Sequence, residues 1–340
     1  MTIQKDLGVA TQASGMTRRH VLMGAAAFGM SATYSIRVAA QAYPSQNILL
    51  VVPFTPGGST DILARLLGQR LEVALKYPVI IESRPGAGGS VGVGSVARAA
   101  ADGHTLVMGH IGTFAVNPAL YPKLPYDPMK SFEPVSGIAN VHNMLVVHPE
   151  VPAKTLQELI DYAKQNPGKL NYASGGIGSA AHIAMVALAD RTGMNLTHVP
   201  YRGTAPAVTD LLGGRVQLTF TGAPNLLQHV EAGTMRALAV SGSSRLKSAP
   251  NVPTVAESGF PGFEASQWYG ILVPAGTPKA VVDRLNTEIR AAMAAPEIAE
   301  RLSLEGAEVW TNTPAEFRDH ISKEMARWGE LVKRTGIKPE

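Results

Sequence analysis

Gly57, Gly58, Ser59 and Thr60 stand between an apolar run, Ile48 to Val52, and a helical pattern in which Ile62, Leu63, Leu66, Leu67 and Leu71 recur three or four apart. A glycine loop feeding a helix start leaves backbone N–H groups unpaired and aims them at one point, which attracts a carboxylate or phosphate. Phe54 borders the loop. The Ser59 or Thr60 hydroxyl could join these donors or serve as the helix N-cap. Asp61, in the first turn, suits the helix dipole and reads as structural, because a carboxylate facing the anion would repel it. A second loop of this kind, Ser174-Gly175-Gly176-Ile177-Gly178-Ser179, separates a strand at Leu170 to Ala173 from a helix over Ala180 to Arg191. His182 in that helix's first turn, His110, and Thr113 in the loop after a strand at Thr105 to Met108 are further candidates for the same cleft. Either loop alone is also explained as an ordinary strand-to-helix turn. Two of them, about a domain apart, suggest two faces of one anion site.

Other chemistries have weaker support. Gly176, Gly178 and Ala181, and also Gly92, Gly94 and Ala97, fit G-x-G-x-x-A. A dinucleotide site needs an acidic residue about 20 positions later, and neither Asn195 to Pro200 nor Gly109 to Thr113 holds one. No cofactor is expected. Gly88-Gly89-Ser90-Val91-Gly92 fits G-x-S-x-G, so an exported serine hydrolase using Ser90 is an alternative; such chemistry needs later Asp and His partners, and Asp210 and His229 exist, but nothing in the sequence pairs them. A flexible turn after Arg84-Pro85 explains the same segment. The histidines show neither H-x-x-x-H nor H-E-x-x-H spacing, so no metal site is expected. Tyr201, Arg202, Gly203 and Thr204 precede another helix start. Arg202 offers a guanidinium fork for a second carboxylate, or is a solvated loop charge. Tyr201 and Trp268 read as packing residues near the cleft or hinge.

Residues 1–42 are not read as part of the fold. Thr17-Arg18-Arg19-His20-Val21-Leu22-Met23 is a twin-arginine pattern, an Ala/Gly-rich apolar run follows, and Ala40-Gln41-Ala42 makes an A-x-A cleavage site. The expectation is export to the periplasm with cleavage after Ala42. The run is too short to anchor the chain in a bilayer. The leader holds Lys5, Arg18, Arg19 and Arg37 against Asp6. The remaining 298 residues carry 26 basic and 25 acidic side chains, so the net charge of +4 belongs mostly to the leader. No basic block interleaved with aromatics supports nucleic-acid binding. The absence of cysteine excludes disulfides, thiolate catalysis, cysteine metal sites and a lipid anchor on cysteine.

The elements that must position these residues alternate in type. Short β runs at Ile48 to Val52, Val79 to Ile81 and Thr105 to Met108 are each followed by a loop or helix; the second helix is expected to run through Ala101. A polar, proline-containing stretch over Leu124 to Pro134 leads to Met144 to Val147. Further strands are expected at Thr197 to Pro200, Val216 to Phe220, Ala237 to Val240 and Ile271 to Val273. A helix over Leu156 to Gln165 has Thr155 as its cap. Helical patterns over Pro278 to Arg301 and Pro314 to Val332 close the chain. This is an α/β layered pattern, and 298 residues allow one large or two ordinary domains.

Six motifs in order carry a family likeness: Pro53 to Asp61, Arg84 to Gly89, Val199 to Pro206, Leu211 to Gly214, Val252-Pro253-Thr254 and Pro274 to Pro278. From about Tyr43 to the C-terminus the chain resembles the Bug family, the TctC-like solute-binding receptors of tripartite tricarboxylate transporters. The resemblance implies a type II periplasmic binding protein: two α/β lobes joined by a two-segment hinge, with the ligand cleft between them. The lobes would be residues 43–143 plus 269–340, and residues 144–268. It further implies a small carboxylate ligand held by two opposed loops and bridging water, a membrane transporter as partner, a monomer, and no enzymatic activity. Carried over to this sequence, the loops are Phe54 to Thr60 and Ser174 to Ser179, with Tyr201 to Thr204 nearby. Expected ligand-binding residues are thus Phe54, Gly57, Gly58, Ser59, Thr60, Thr113, Ser174, Gly176, Ser179, His182, Tyr201, Gly203 and Thr204. A receptor that presents its closed form to a membrane signalling protein is the alternative within this fold. Many relatives carry Asp-Asn where this chain has Thr221-Gly222. The loss of that carboxylate points to an organic acid without an amino group.

Overall fold

Apolar runs of strand length alternate with amphipathic stretches, and the chain assembles them into two sheets. The computed structural model describes residues 43–304 and 306–339; the expected leader and its cleavage site lie outside the described residues. The elements begin β1 (Ile48–Val52), α1 (Ser59–Leu75), β2 (Val79–Ser83), α2 (Ser90–Val96), β3 (Thr105–His110), α3 (Asn117–Leu120), β4 (Phe132–Val141) and β5 (Asn143–Val147). They continue α4 (Leu156–Gln165), β6 (Asn171–Ser174), α5 (Ala180–Thr192), β7 (Thr197–Pro200), α6 (Thr204–Leu212), β8 (Leu218–Gly222), α7 (Leu227–Glu231) and β9 (Arg236–Val240). The last are β10 (Gln267–Pro274), α8 (Lys279–Met293), α9 (Pro296–Leu304), β11 (Ala307–Val309) and α10 (Pro314–Thr335).

The first sheet has the order β11-β4-β10-β3-β1-β2, and the second β7-β6-β8-β5-β9. In the first, β1 lies parallel between β2 and β3, while β10 runs antiparallel to both β3 and β4. Strand β1 is covered on both faces: Ile48, Leu50, Val51 and Val52 are fully buried. Such a position requires a continuous apolar run rather than alternation. In the second sheet β6 lies parallel between β7 and β8, and β5 runs antiparallel to β8 and β9. The chain crosses between sheets at Val141 to Asn143 and returns before Gln267. Helix α4 shows how the layers hold. Its buried residues Leu156, Leu159, Ile160 and Ala163 keep the three/four spacing, and the Thr155 hydroxyl caps it by accepting the Glu158 N–H at 3.2 Å. Burying one such leucine contributes about 1.5–3 kcal/mol. Among the described residues no helix is long and apolar enough to cross a membrane.

The structure corrects several sequence expectations. Strand β4 begins within and just after the stretch read as polar connection. Pro134 and Gly137 look like breakers, yet Pro134 pairs with Leu272 next to a register shift, where a missing N–H is tolerated. Helix α2 stops at Val96, short of Ala101. The C-terminal helical pattern is broken between Met293 and Pro296 into α8 and α9. The N-cap of α1 is Gly58, without a side-chain cap. Ser59 and Thr60 are therefore the first residues of that helix, and neither hydroxyl caps it.

Candidate functional site

The C-terminal ends of β1 and β6 face one another, and the two glycine loops meet there. A small inner pocket of about 20 Å³ is lined by Phe54, Gly58, Ser59, Thr60 and His110 from one side and by Gly175, Ser179, Ala180, Ala181, Thr204 and Thr221 from the other. Gln267 and Tyr269 at the start of β10 close it. An outer cavity of about 690 Å³ shares Phe54 and Gly175 with it, and adds Thr55, Gly86 to Gly89, Tyr121, Gly176, Ile177, Pro200, Tyr201, Arg202 and Pro206. Neither wall contains a carboxylate. Both α1 and α5 start at the inner pocket, so two sets of unpaired helix N–H groups converge on it.

Each wall residue has a local reason for its place. Asp61 folds back to accept the Gly57 N–H at 3.0 Å and the Arg65 Nε–H at 3.0 Å, which fixes the first loop and turns its charge away from the pocket. Ser179 caps α5 by accepting the His182 N–H at 3.3 Å. The pairing of Tyr269 with His110 across β10 and β3 brings those rings edge to face at the strand ends, with centroids 5.8 Å apart. The Tyr269 hydroxyl donates to Gln267 Oε1 at 2.7 Å, and Gln267 Nε2 donates to Asn143 Oδ1 at 2.6 Å. Burial raises the pKa of the Tyr269 phenol, so it stays protonated at neutral pH. The His110 ring stacks on Phe54 with centroids 4.7 Å apart. Its Nδ1 accepts the Gly112 N–H at 2.7 Å, so the proton of the neutral ring is on Nε2. Burial pushes the His110 pKa down to about 4.

The two halves also touch directly. Asn225 Nδ2 donates to Ser59 Oγ at 2.6 Å, and the Tyr121 hydroxyl donates to the Ile177 carbonyl at 3.1 Å. Gly203 packs on Thr55, and Gly88 packs on Ile177, each so closely that a side chain would overlap its neighbour.

Of the residues singled out from sequence, Phe54, Gly58, Ser59, Thr60, Ser179 and Thr204 lie on the inner wall, and Gly176 and Tyr201 on the outer. Gly57, Thr113, Ser174, His182 and Gly203 are on neither wall. Gly57 is the turn residue, with φ of 85°. The Thr113 hydroxyl donates back to the His110 carbonyl at 3.0 Å. Tyr201 presents its ring only, since its hydroxyl donates to Asp210 at 2.7 Å; burial and that bond push its pKa up to about 12. Arg202 is exposed at the rim of the outer cavity, and the nearby Asp210 pairs with Arg215 instead. Trp268 packs edge-on against Phe317 as a core residue. Gln267 and Tyr269 were not among the sequence candidates, and Thr55 was covered only as part of the Phe54 to Thr60 loop. Thr221 was noted there only as a departure from relatives, and it lines the pocket.

A family profile described as tripartite tricarboxylate transporter family receptor matches residues 63–337. The chain belongs to this family. BugT of Bordetella pertussis is 38% identical over 324 residues, which is 95% of this chain and 99% of BugT. Among solved structures, an R. palustris protein with adipate is 38% identical with a TM-score of 0.85, over 88% of this chain and all of that one. MatC from Rhodopseudomonas palustris with bound malate is 34% identical with a TM-score of 0.81, over 85% of this chain and all of MatC. The fold is thus that of the two-lobed periplasmic binding proteins. Members of this receptor family bind solutes and are not enzymes. The Ser90 alternative falls on geometry as well: Ser90 opens α2, its buried hydroxyl accepts from Asn117 Nδ2 at 3.0 Å, and Asp210 is engaged by Tyr201 and Arg215. Gly92 lies inside α2 against Pro53, a packing glycine rather than a phosphate loop.

Proposed function

We propose that this receptor captures a small organic acid in the periplasm and delivers it to a tripartite tricarboxylate-type membrane transporter. The leader expected at residues 1–42 would export it, and it would act as a monomer. The lobes are taken as residues 43–143 plus 269–340, and 144–268. The observation that carries the reading is the convergence of two helix N-termini and six hydroxyl-bearing residues, Ser59, Thr60, Ser179, Thr204, Thr221 and Tyr269, beside His110 on a pocket whose wall holds no carboxylate. A carboxylate at the mouth of that pocket accepts from Gly58 to Thr60 on one side and Ser179 to Ala181 on the other. The pocket itself has the volume of one water molecule, which suits a bridging water between the acid and Thr60, Thr221 or Tyr269. Phe54, Ile177, Pro200, Tyr201 and Pro206 would cover the body of the ligand in the outer cavity. Arg202 at the rim is available to a second carboxylate. Thr221 stands where a carboxylate would meet a ligand ammonium, so acids without an amino group are favoured.

Affinity then comes from oriented dipoles in a desolvated cleft, and no covalent step is involved. The test is titration calorimetry on residues 43–340, unfolded and refolded to strip bound solute, against mono-, di-, tri- and aromatic carboxylates including adipate and malate. Micromolar or tighter binding of one acid, about −8 kcal/mol, is expected. Silence across the panel from folded protein refutes the reading. Tighter binding of aspartate or glutamate than of their non-aminated counterparts refutes the ligand preference.

A further inference from the structure

Two imidazoles stand behind the Ser174–Ser179 loop and line neither cavity. His182 Nδ1 accepts the Gly178 N–H at 3.2 Å. His198 Nε2 pairs with Ser174 Oγ at 2.6 Å, and that same oxygen accepts the Gly176 N–H at 3.1 Å. The rings form one stack with Tyr172: His182 to His198 is 4.2 Å between centroids, and His198 to Tyr172 is 4.7 Å. Gly176 and Gly178 both have positive φ, 117° and 79°. A stretch with two such glycines has many backbone alternatives open to it. Side chains reach it from behind at Gly178, through His182, and at Gly176, through His198 and Ser174. The loop's front forms the wall of both cavities.

We propose that His182 and His198 are positioning residues: as neutral rings they hold Gly178 and, through Ser174, Gly176 in the backbone geometry that receives the ligand carboxylate. This rests on the reading of the loop as carboxylate-binding. It gives Ser174 and His182, expected from sequence to touch the ligand, an indirect role. The role is a hydrogen-bonding one and not merely a matter of filling space. A phenylalanine at 182 keeps the stack but has no acceptor. An asparagine at 182 loses the stack but places Oδ1 near the position of Nδ1.

The test pairs those variants. Hydrogen exchange of the Gly176 and Gly178 amides is read by NMR on protein without added acid, and affinity is read with the carboxylate panel. His182→Phe is expected to lower protection of the Gly178 amide about tenfold and to weaken binding about tenfold, the scale of one lost hydrogen bond. His182→Asn is expected to restore both to within about threefold. His198→Phe and His198→Gln should behave likewise at Gly176. Full protection and affinity in His182→Phe, or no restoration in His182→Asn, overturns the proposal. If His182→Phe does not fold, His182→Leu, which also lacks an acceptor, takes its place: lost protection at Gly178 supports the role, and wild-type protection refutes it. A wild-type protein silent to every acid refutes the receptor reading, while the exchange data still decide whether the histidines hold the loop.

Discussion

Gly203→Ala isolates contact between the two halves from the stability of either. Gly203 has φ of 164°, extended backbone that alanine also adopts, so the substitution adds no strain within the Tyr201–Thr204 segment. The added methyl would overlap the Thr55 hydroxyl and lie 3.1 Å from both the Thr55 Cβ and its backbone N. Rotating the Thr55 side chain relieves the first overlap but not the other two, so the halves must separate by a few tenths of an ångström. Overpacking of this kind costs about 1–3 kcal/mol. The cost falls only on the state in which the halves touch, and it should appear as a loss of affinity of roughly 5- to 150-fold. On the proposed reading the halves part when no ligand is bound, so thermal stability without ligand should stay within about 0.5 kcal/mol of wild type. Calorimetry with the tightest acid of the panel, beside thermal melts, separates the two. Thr55→Gly in the same chain removes Oγ1 and Cβ together, and the double variant should bind tighter than the product of the single effects predicts. Wild-type affinity in Gly203→Ala would refute the reasoning, and so would a fall in melting temperature that accounts for the affinity loss.

Further tests address the site and its frame. Burial holds His110 at about 4, and His182 and His198 at about 3 and about 4, all below the ordinary 6.5. Between those values the unfolded chain binds more protons than the folded one, so stability is fully present above pH 6.5 and declines as pH falls toward 4, by up to about 3 kcal/mol for His110 alone; melts across this range should show it, and a melting temperature higher at pH 4.5 than at pH 7.5 contradicts it. Thr221→Asp puts a carboxylate into the inner pocket and should weaken binding of a non-aminated acid at least tenfold by charge repulsion, with unchanged calorimetric affinity as the adverse result. Glu324 accepts from both indoles, Trp268 at 3.2 Å and Trp328 at 2.8 Å, and from Arg327 at 3.2 Å. Glu324→Ala should cost about 3 kcal/mol in denaturant unfolding, since two buried donors lose a charged acceptor; a loss under about 1 kcal/mol would show that the indoles find other partners.

Local units are written into short stretches of the chain. The apolar run of β1, the glycine loop and the three/four pattern of α1 are encoded within one short segment, and so are the Ser179 cap and the structural role of Asp61, because each rests on bonds between residues a few positions apart. The two glycine loops that open α1 and α5 were legible for that reason. Tertiary structure decided what stands between them. Gln267 and Tyr269 reach the pocket because β10 returns to the first sheet and pairs with β3 and β4, a choice made by long-range packing that no local pattern records. Strand β4 was hidden behind Pro134 and Gly137, whose local preferences the sheet overrode. His182 has the right place in its helix to face a ligand, yet its ring turns to stack on His198, sixteen residues later and one strand away. Spacing along the chain determines the face of a helix on which a residue lies; only the packing of its neighbours determines where its side chain points.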